Sequence, residues 1–274
     1  MHPQTAQSSG ALSEMQALYD VQHYQLDLQV YPDRKVIEGR VTMRAIATES
    51  ITTVELDLDP RFEILETSVN GQTASYQKAE GKLLLLGSEI QSGSEFTTTV
   101  SYRGRPYEAE NPPWDGGFVW SETESGEHWI ATAVQGRGCD LYWPCKDHIS
   151  DKAELGADML ITVPSNLTAV MNGVLLSQTS LSERTTYHWS TQNPISAYHL
   201  AINIGPFKKY EIQHSNALTQ NPIPVTFYHV TNDMDKIERL IKDDFIAQLE
   251  FFERTLGPYP WGEEKIGIVE IPYL

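Results

Sequence analysis

The stretch that decides the fold lies at residues 24–47 and reads YQLDLQVYPDRKVIEGRVTMRAIA. In each of its two halves, YQLDLQVYP and KVIEGRVTMRAIA, apolar side chains alternate with polar ones. This period of two residues is typical of a strand that buries one face and exposes the other, and it differs from the period of a helix. Residues 24–47 therefore predict two β-strands.

The same alternation continues along most of the chain. It recurs before residue 105 in TTVELDLD, LLLLG and SGSEFTTTVSYRG, and Asn70 with Gly71 supplies a tight turn between strands. After a loop around Gly136, further strands are predicted in ADMLITVP, LTAVMNGVLLSQ, RTTYHWS and YHLAINIG. The sequence therefore predicts a mainly β fold, with an antiparallel region over residues 20–105.

The period changes near Thr231, where TNDMDKIERLIKDDFIAQLEFFERTLG begins. Its apolar residues fall on one face of a helix, and they are Ile237, Leu240, Ile241, Phe245, Leu249, Phe252 and Leu256. Asn232 or Asp233 can cap the start, and Gly257 followed by Pro258 gives the stop. This segment therefore predicts an amphipathic helix that buries one face.

The strand KIGIVEIPYL follows the helix and runs to the last residue, without a turn or tail. A change from a β-rich module to a mixed α/β domain is therefore expected near Gly205 to Lys209. Because the second domain has only begun at Leu274, we expect the sequence to be the leading part of a longer chain.

Composition limits the classes of partner. The 274 residues carry a formal net charge of −17 and include 40% hydrophobic residues, enough for a sizeable core. A strongly acidic protein repels phosphate backbones, so no nucleic-acid partner is expected. The first twenty residues lack the apolar core of a secretory leader, and no stretch is long and apolar enough to predict a membrane span. The cytoplasm is favoured, while periplasmic location or secretion through a removed leader stays open.

The chain contains two cysteines, Cys139 and Cys145. Two cysteines are too few for a disulfide scaffold, and they lack the paired spacing of a zinc knuckle. A reduced, partly buried pair is favoured because intracellular proteins keep few disulfides, and a local bridge stays open.

The sequence of this chain contains none of the catalytic motifs searched for by residue type and spacing. The histidines are scattered and form no HExxH pair, and no GxSxG elbow or phosphate-binding glycine loop occurs. Asp147, Asp151 and Glu154 cluster after the second cysteine, and a solvated turn is the favoured interpretation of this cluster over an acid or base. We therefore predict no catalytic residue and no metal ligand in this sequence.

Three segments resemble the aminopeptidase N and leukotriene hydrolase-like family of zinc peptidases, the gluzincins. AVQGRGCDLYWPCKD at residues 133–147 is similar to the loop of that family's first domain that faces the active site. AYHLAINIGPFKKYE at residues 197–211 is similar to the strand that closes the first domain. LEFFERTLGPYPWGEEKIGIVEIPYL at residues 249–274 resembles the helix and strand that precede the family's GxMEN motif.

The resemblance implies a twisted antiparallel β-saddle or sandwich domain, followed by the first α/β elements of a thermolysin-like catalytic domain. The expected divisions are a flexible segment at 1–20, the β-saddle domain at 21–206 and the start of the catalytic domain at 207–274. In the family, an HExxH helix and a distal Glu hold one zinc ion that activates water for attack on the first peptide bond. We expect those ligands outside this sequence, so these 274 residues should bind no catalytic zinc and be inactive alone.

The resemblance also implies three substrate-binding residues. Gln135 matches the family's Gln or Glu that reaches the amino-terminal residue of the substrate, and Gly136 fits a loop that lets the backbone approach a ligand. Tyr273 lies beside the expected GxMEN segment, where the family lines its first specificity pocket. Trp143, Trp114 and Trp261 are expected to be packing anchors.

The partners expected of the whole enzyme are peptides with a free amino terminus and the remaining catalytic and C-terminal domains. The alternative from another class is a non-enzymatic β-sandwich module for binding or interaction. That alternative accounts for residues 1–205 but leaves the appended helix and strand unexplained.

Overall fold

The two strands predicted over residues 24–47 form the centre of the largest sheet in the computed structural model, which describes residues 12–215 and 222–273. The first strands are β1 (Tyr19–Tyr31), β2 (Val36–Ala47), β3 (Ile51–Asp57), β4 (Glu63–Val69), β5 (Gln72–Thr73), β6 (Ser75–Ala79), β7 (Lys82–Ile90), β8 (Glu95–Gly104), β9 (Gly117–Glu122), β10 (His128–Ala133) and β11 (Lys152–Ala153). The later strands are β12 (Ala157–Pro164), β13 (Thr168–Val170), β14 (Val174–Leu181), β15 (Arg184–Thr191), β16 (Ile195–Ser196), β17 (Asn203–Gly205), β18 (Lys208–His214), β19 (Ile223–His229) and β20 (Ile266–Val269).

The strands form one large sheet and several small ones. The large sheet has the order β14-β15-β12-β1-β2-β8-β4-β5, and the smaller sheets are β13-β17-β10-β9, β11-β16, β18-β19-β20 and β3-β7-β6. Strand pairs formed within residues 19–104 are antiparallel, as predicted. The later half of the large sheet joins the earlier half through a parallel pair, β1 with β12, in which Tyr24 lies opposite Ala157.

The main core lies against these sheets, and β1 shows why the sequence period predicts it. Leu26, Leu28 and Val30 are fully buried, while Gln25, Asp27 and Gln29 between them are exposed. Burying one face of a strand removes apolar area from water without burying its polar side chains. The alternation read from the sequence is therefore the alternation of the two faces of the sheet.

A second, smaller core covers the sheet β18-β19-β20. The helix that packs there consists of α1 (Met234–Arg239), a π-helical turn at Leu240–Phe245, and α2 (Ile246–Leu256). Short 3₁₀ helices lie elsewhere, at Gln16–Leu18, Pro32–Arg34, Cys139–Leu141 and Ala197–His199. No helix in the described part of the chain, residues 12–215 and 222–273, is both long enough and apolar enough to cross a bilayer.

The ends of the long helix are where the sequence places them. The Asp233 side chain accepts a hydrogen bond from the Lys236 main-chain N–H at 3.0 Å, and Gly257 follows the last turn with a φ of +102°. The predicted apolar face is correct only at Ile237 and Ile241, which are buried, and at partly buried Phe245 and Leu249.

Leu240, Phe252 and Leu256 are 39%, 53% and 79% exposed, so these 274 residues bury only part of the predicted stripe. The π-helical turn accounts for part of the difference, because each turn there holds more residues than an α-turn and rotates the following residues around the axis.

The predicted N-terminal segment at 1–20 is described only from Leu12 onward, and residues 1–11 lie outside the described residues. Within the described part, Gln16 is 2% exposed and donates a hydrogen bond from Nε2 to Asp57 Oδ2 at 2.6 Å. The chain is therefore packed on the core before β1 begins.

Candidate functional site

The cysteine loop, residues 134–147, leaves the end of β10 and carries two of the three predicted site residues. Gln135 and Gly136 are exposed at its tip, and Gly136 has a φ of +71°, a conformation that favours glycine. From Gly138 to Asp147 the loop is buried. The loop is therefore a short exposed turn on a buried base.

A disulfide between Cys139 and Cys145 closes the base of the loop. Their Cα atoms are 6.5 Å apart and both residues are 0% exposed. The expectation of a reduced pair is therefore wrong. A 3₁₀ turn at Cys139–Leu141 folds the chain back within six residues, which brings the two cysteines within bridging distance.

Gly138 permits the tight packing of this base. It has a φ of +137°, and a Cβ atom built there would lie 1.9 Å from Oδ2 of Asp147. No side chain fits in that space without moving the Asp147 carboxylate. The close approach between Gly138 and Asp147 explains the glycine at this position.

Beneath the loop, the end of β3 holds its C-terminal part through Asp57. Main-chain hydrogen bonds run both ways between Asp57 and Cys145, at 2.7 and 3.1 Å. The carboxylate of Asp57 also accepts from the main-chain N–H of Asp147 at 2.9 Å and forms an ion pair with Lys82. A fully buried carboxylate with several donors is strongly held, because each donor offsets part of its lost hydration.

A second buried ion pair lies beside this one. Lys146, 4% exposed, pairs with Asp151 and lies over the Tyr19 ring, with Nζ 4.6 Å from the ring centroid. Burial raises the pKa of Asp151, and the hydrogen bond from Lys146 opposes that rise. The solvated turn predicted for Asp147, Asp151 and Glu154 is therefore wrong for the first two residues, whereas Glu154 is exposed.

On one side, the tip of the cysteine loop is fastened to a neighbouring loop through Arg137. Its Nε donates to Asp115 Oδ1 at 3.1 Å, and its Nη2 donates to the Tyr107 hydroxyl at 3.2 Å. The guanidinium also lies 4.4 Å from the centroid of the Tyr107 ring. The position of Gln135 is thus fixed from below by the disulfide and from one side by Arg137.

Of the three tryptophans expected to be packing anchors, one is buried and two are exposed. Trp143 is 0% exposed and packs edge-to-face on Tyr24 with ring centroids 4.8 Å apart, which confirms the prediction for it. Trp114 and Trp261 are 68% and 48% exposed, so the prediction is wrong for both. The physical preference of indoles for burial does not decide these two positions, because both lie on loops outside the strands.

Tyr273, the third predicted site residue, follows β20 and is partly buried, which raises the pKa of its phenol. The segment before it is tied to β10, since the Trp129 indole N–H donates to the Glu270 main-chain oxygen at 3.2 Å. Gln135 and Gly136 thus share one turn, and Tyr273 lies on a separate segment that approaches the same strand. No hydrogen bond between described side chains joins Tyr273 to Gln135.

A zinc ion does not fit the residues described. In residues 12–215 and 222–273, a close set of possible ligands is formed by Cys139, Cys145 and Asp147, whose atoms lie within 4.8 Å of one another. The disulfide removes both thiolates, and zinc binds thiolate sulfur.

Sequence reasoning missed Asp57 and Arg137 as the supports of the site. Asp57 lies in TTVELDLD, where the alternation predicts an exposed position, but β3 is buried on both faces near its end. The signal available was a charged residue near the end of an apolar strand. Arg137 gives no signal of this kind, because its partners Asp115 and Tyr107 are more than twenty residues away in sequence.

Known proteins resemble this chain in sequence. The family model of the peptidase M1 N-terminal domain matches residues 20–199. Leucine aminopeptidase 2 of Candida glabrata is 19% identical over 256 residues, which cover 90% of this chain and 36% of that protein. Transcription initiation factor TFIID subunit 2 of Drosophila melanogaster is 27% identical over 183 residues, which cover 64% of this chain and 14% of that protein.

Solved structures agree in fold. The M1 zinc metallopeptidase of Deinococcus radiodurans superposes with a TM-score of 0.74 at 22% identity, over 92% of this chain and 56% of that one. A mutant of that peptidase bound to a Tyr-Ser-Ala substrate gives a TM-score of 0.76 at 21% identity, over 93% and 57% of the two chains. The chain thus spans little more than half the length of the structures it matches, and they show the fold of its mainly β region.

Proposed function

The chain belongs to the peptidase M1 N-terminal domain family, and from this premise we propose that it is the leading part of a zinc-dependent aminopeptidase. The whole enzyme would hydrolyse the first peptide bond of peptides that have a free amino terminus. In this proposal, residues 21–206 form the β-saddle domain and residues 207–274 begin the catalytic domain. The zinc ligands would lie in the part of the enzyme that follows.

The observation that carries this proposal is the presentation of Gln135. Its neighbours from Gly138 to Asp147 are buried and crosslinked, yet Gln135 itself is exposed at the tip of the loop. An amide oxygen accepts a hydrogen bond from an ammonium group, and a supported loop holds it in one place. Gln135 would thus orient the amino terminus of a peptide, Gly136 would allow close approach, and Tyr273 would line the pocket for the first side chain.

The zinc and the chemistry of hydrolysis belong to the remainder of the protein in this proposal. The described residues offer no fitting zinc site, and the chain covers 56% of the matched peptidase. We therefore expect the 274-residue chain to hydrolyse no peptide by itself.

The experiment uses the longest natural reading frame that contains this sequence. We expect the purified protein to release the first amino acid from a peptide with a free amino terminus and to leave its N-acetylated counterpart intact. Removal of metal by a chelator should abolish the activity, and zinc should restore it. Equal cleavage of the free and acetylated peptides would contradict an aminopeptidase.

Gln135 is tested by replacement with Ala in that protein. A lost hydrogen bond to the substrate should reduce kcat/KM by an amount equivalent to about 1–3 kcal/mol. Gln178, an exposed amide on β14 within the same domain, provides the matched control, and Gln178→Ala should leave kcat/KM unchanged. Equal kinetics of the two variants would remove Gln135 from the site.

A non-enzymatic interaction module is the second candidate, and one observation favours it. The relative with 27% identity over 183 residues is named as a subunit of a transcription initiation factor rather than as a peptidase. The same peptidase assay separates the candidates, since an interaction module would show no zinc-dependent release of amino acids.

A further inference from the structure

Trp114 stands out among the exposed apolar side chains because of its place beside the cysteine loop. Single exposed apolar residues are common on protein surfaces, so 68% exposure alone does not indicate a site. What distinguishes Trp114 is that the loop carrying it is held by hydrogen bonds and contacts the loop of Gln135.

The loop of Trp114, residues 105–116, is held by its own main chain. The Phe118 N–H donates to the Tyr107 carbonyl at 2.7 Å, and the Ala109 N–H donates to the Phe118 carbonyl at 3.0 Å. The Asp115 N–H donates to the Asn111 carbonyl at 3.0 Å, which closes the turn that contains Trp114. The indole is therefore exposed on a folded loop.

This loop is joined to the cysteine loop at the two residues that follow Trp114. Asp115, the next residue, accepts from Arg137 at 3.1 Å. Gly116 packs so closely that a Cβ atom there would lie 2.9 Å from Arg137 Cβ and 3.1 Å from the Val134 carbonyl carbon. Trp114 and Gln135 are thus each within two residues of a direct contact between the loops, which limits their Cα separation to roughly 15 Å.

We propose that Trp114 is a specificity-determining residue that binds an aromatic or large aliphatic side chain of the substrate peptide beyond its first residue. This inference rests on the proposed aminopeptidase function. A peptide whose amino terminus lies at Gln135 advances about 3.3–3.6 Å per residue, so its second to fourth residues come within reach of the indole.

The carboxylate adjacent to Trp114 in sequence gives a cationic side chain no advantage over an apolar one. An indole face can bind either, through apolar packing or through a cation–π contact. The adjacent carboxylate of Asp115 is already engaged by Arg137, by the Tyr107 hydroxyl at 3.3 Å and by the Glu110 N–H at 3.2 Å. It is therefore a poor second partner for a lysine or arginine of the substrate.

The test compares two kinds of substrate with the full-length protein. Alaninamide has only the first residue, whereas tripeptides Ala-Ala-X and Ala-X-Ala, with X as Phe, Leu, Ser or Lys, also probe the later positions. Trp114→Ala should lower kcat/KM roughly tenfold for Phe and Leu peptides through a higher KM. Alaninamide and the Ser peptides should be unaffected, and Trp114→Phe should restore most of the loss.

Leu181, which is 79% exposed in the hairpin of β14 and β15, is the matched control. Leu181→Ala should leave kcat/KM unchanged for every substrate. An equal loss on alaninamide would indicate a structural role, and unchanged selectivity would exclude contact; either overturns the inference. A loss confined to the Lys peptides would overturn its apolar character. Failure of the proposed function looks different, because the unmodified protein would then release no amino acid from any substrate.

Discussion

The buried carboxylate of Asp57 accepts a hydrogen bond from the main-chain N–H of Asp147 at 2.9 Å. This contact joins the end of β3 to the last residue of the cysteine loop, ninety residues later in the chain. Together with the main-chain bonds between Asp57 and Cys145, it fixes the C-terminal end of the loop. The exposed Gln135 therefore lies on a loop that is held at several points.

Asp57→Ala should destabilise the chain by about 3 kcal/mol or more. The substitution leaves the donors of Gln16, Lys82 and Asp147 without their shared acceptor. Removing one partner of a buried ion pair is costly because the remaining charge loses its counter-charge without regaining its full hydration. Urea unfolding of the chain measures the change. Asp33→Ala, at a carboxylate whose side chain is 88% exposed, is the control and should stay within about 1 kcal/mol of the original.

Replacing both cysteines, Cys139 and Cys145, by Ala should reduce the free energy of unfolding by about 2 kcal/mol. A crosslink across six residues restricts the unfolded chain, and a loop of that length is expected to contribute an amount of this order. Chemical unfolding with and without a reducing agent measures it. The reductant should lower the midpoint of the original chain and leave that of the double variant in place, and an identical response of both would count against the bridge.

Gly138→Ala should disrupt the base of the cysteine loop. The new Cβ would lie 1.9 Å from the Asp147 carboxylate at a φ of +137°, so both sterics and backbone conformation oppose it. Gly71→Ala is the control, because that glycine also has a positive φ but has open space around it. We expect Gly138→Ala to lower the urea midpoint clearly more than Gly71→Ala, and equal losses would show that backbone strain alone acts.

Lys265 should make stability depend on pH above neutrality. Its Nζ donates to main-chain oxygens of Met171 and Gly173 and lies 4.5 Å from the Trp189 ring centroid, and burial lowers its pKa to about 8. Between about pH 8 and the ordinary lysine value near 10.5, the unfolded chain holds a proton that the folded chain has released. The free energy of unfolding therefore rises with pH in that window.

The contribution of this one proton has a slope of at most about 1.4 kcal/mol per pH unit. It is measured as the difference between the original chain and Lys265→Met in urea unfolding from pH 7 to 9.5. The variant should lack the rise. A parallel pH dependence of the two proteins would show that Lys265 keeps its proton in the folded state.

The sequence predicts the strands well because burial of one face imposes a local period. Leu26, Leu28 and Val30 are buried in the order that the alternation indicates. The long helix is predicted equally well at its ends, where Asp233 and Gly257 act through neighbouring main-chain groups. Its apolar face is predicted less well, because the π-helical turn and the exposed Phe252 follow from packing that a regular period does not contain.

The candidate site, like the fold, is predicted only in part from the sequence. The resemblance of their loop to that of the peptidase family indicates Gln135 and Gly136, and both lie in an exposed turn. The burial of Asp151, the bridge between the cysteines and the exposure of Trp114 could not be read from the letters. Each depends on which distant segments meet, and charged residues look alike in sequence whether water or a buried lysine faces them.

By itself, the sequence determined the strands and the capped helix of this M1 family member, because these depend on side-chain period and on neighbours within a few residues. Tertiary structure alone decided that Asp57 supports Asp147, that Lys146 is buried with Asp151, and that Arg137 holds the loop of Trp114. The physical reason is that hydration is lost and hydrogen bonds are gained only when segments far apart in the chain come together.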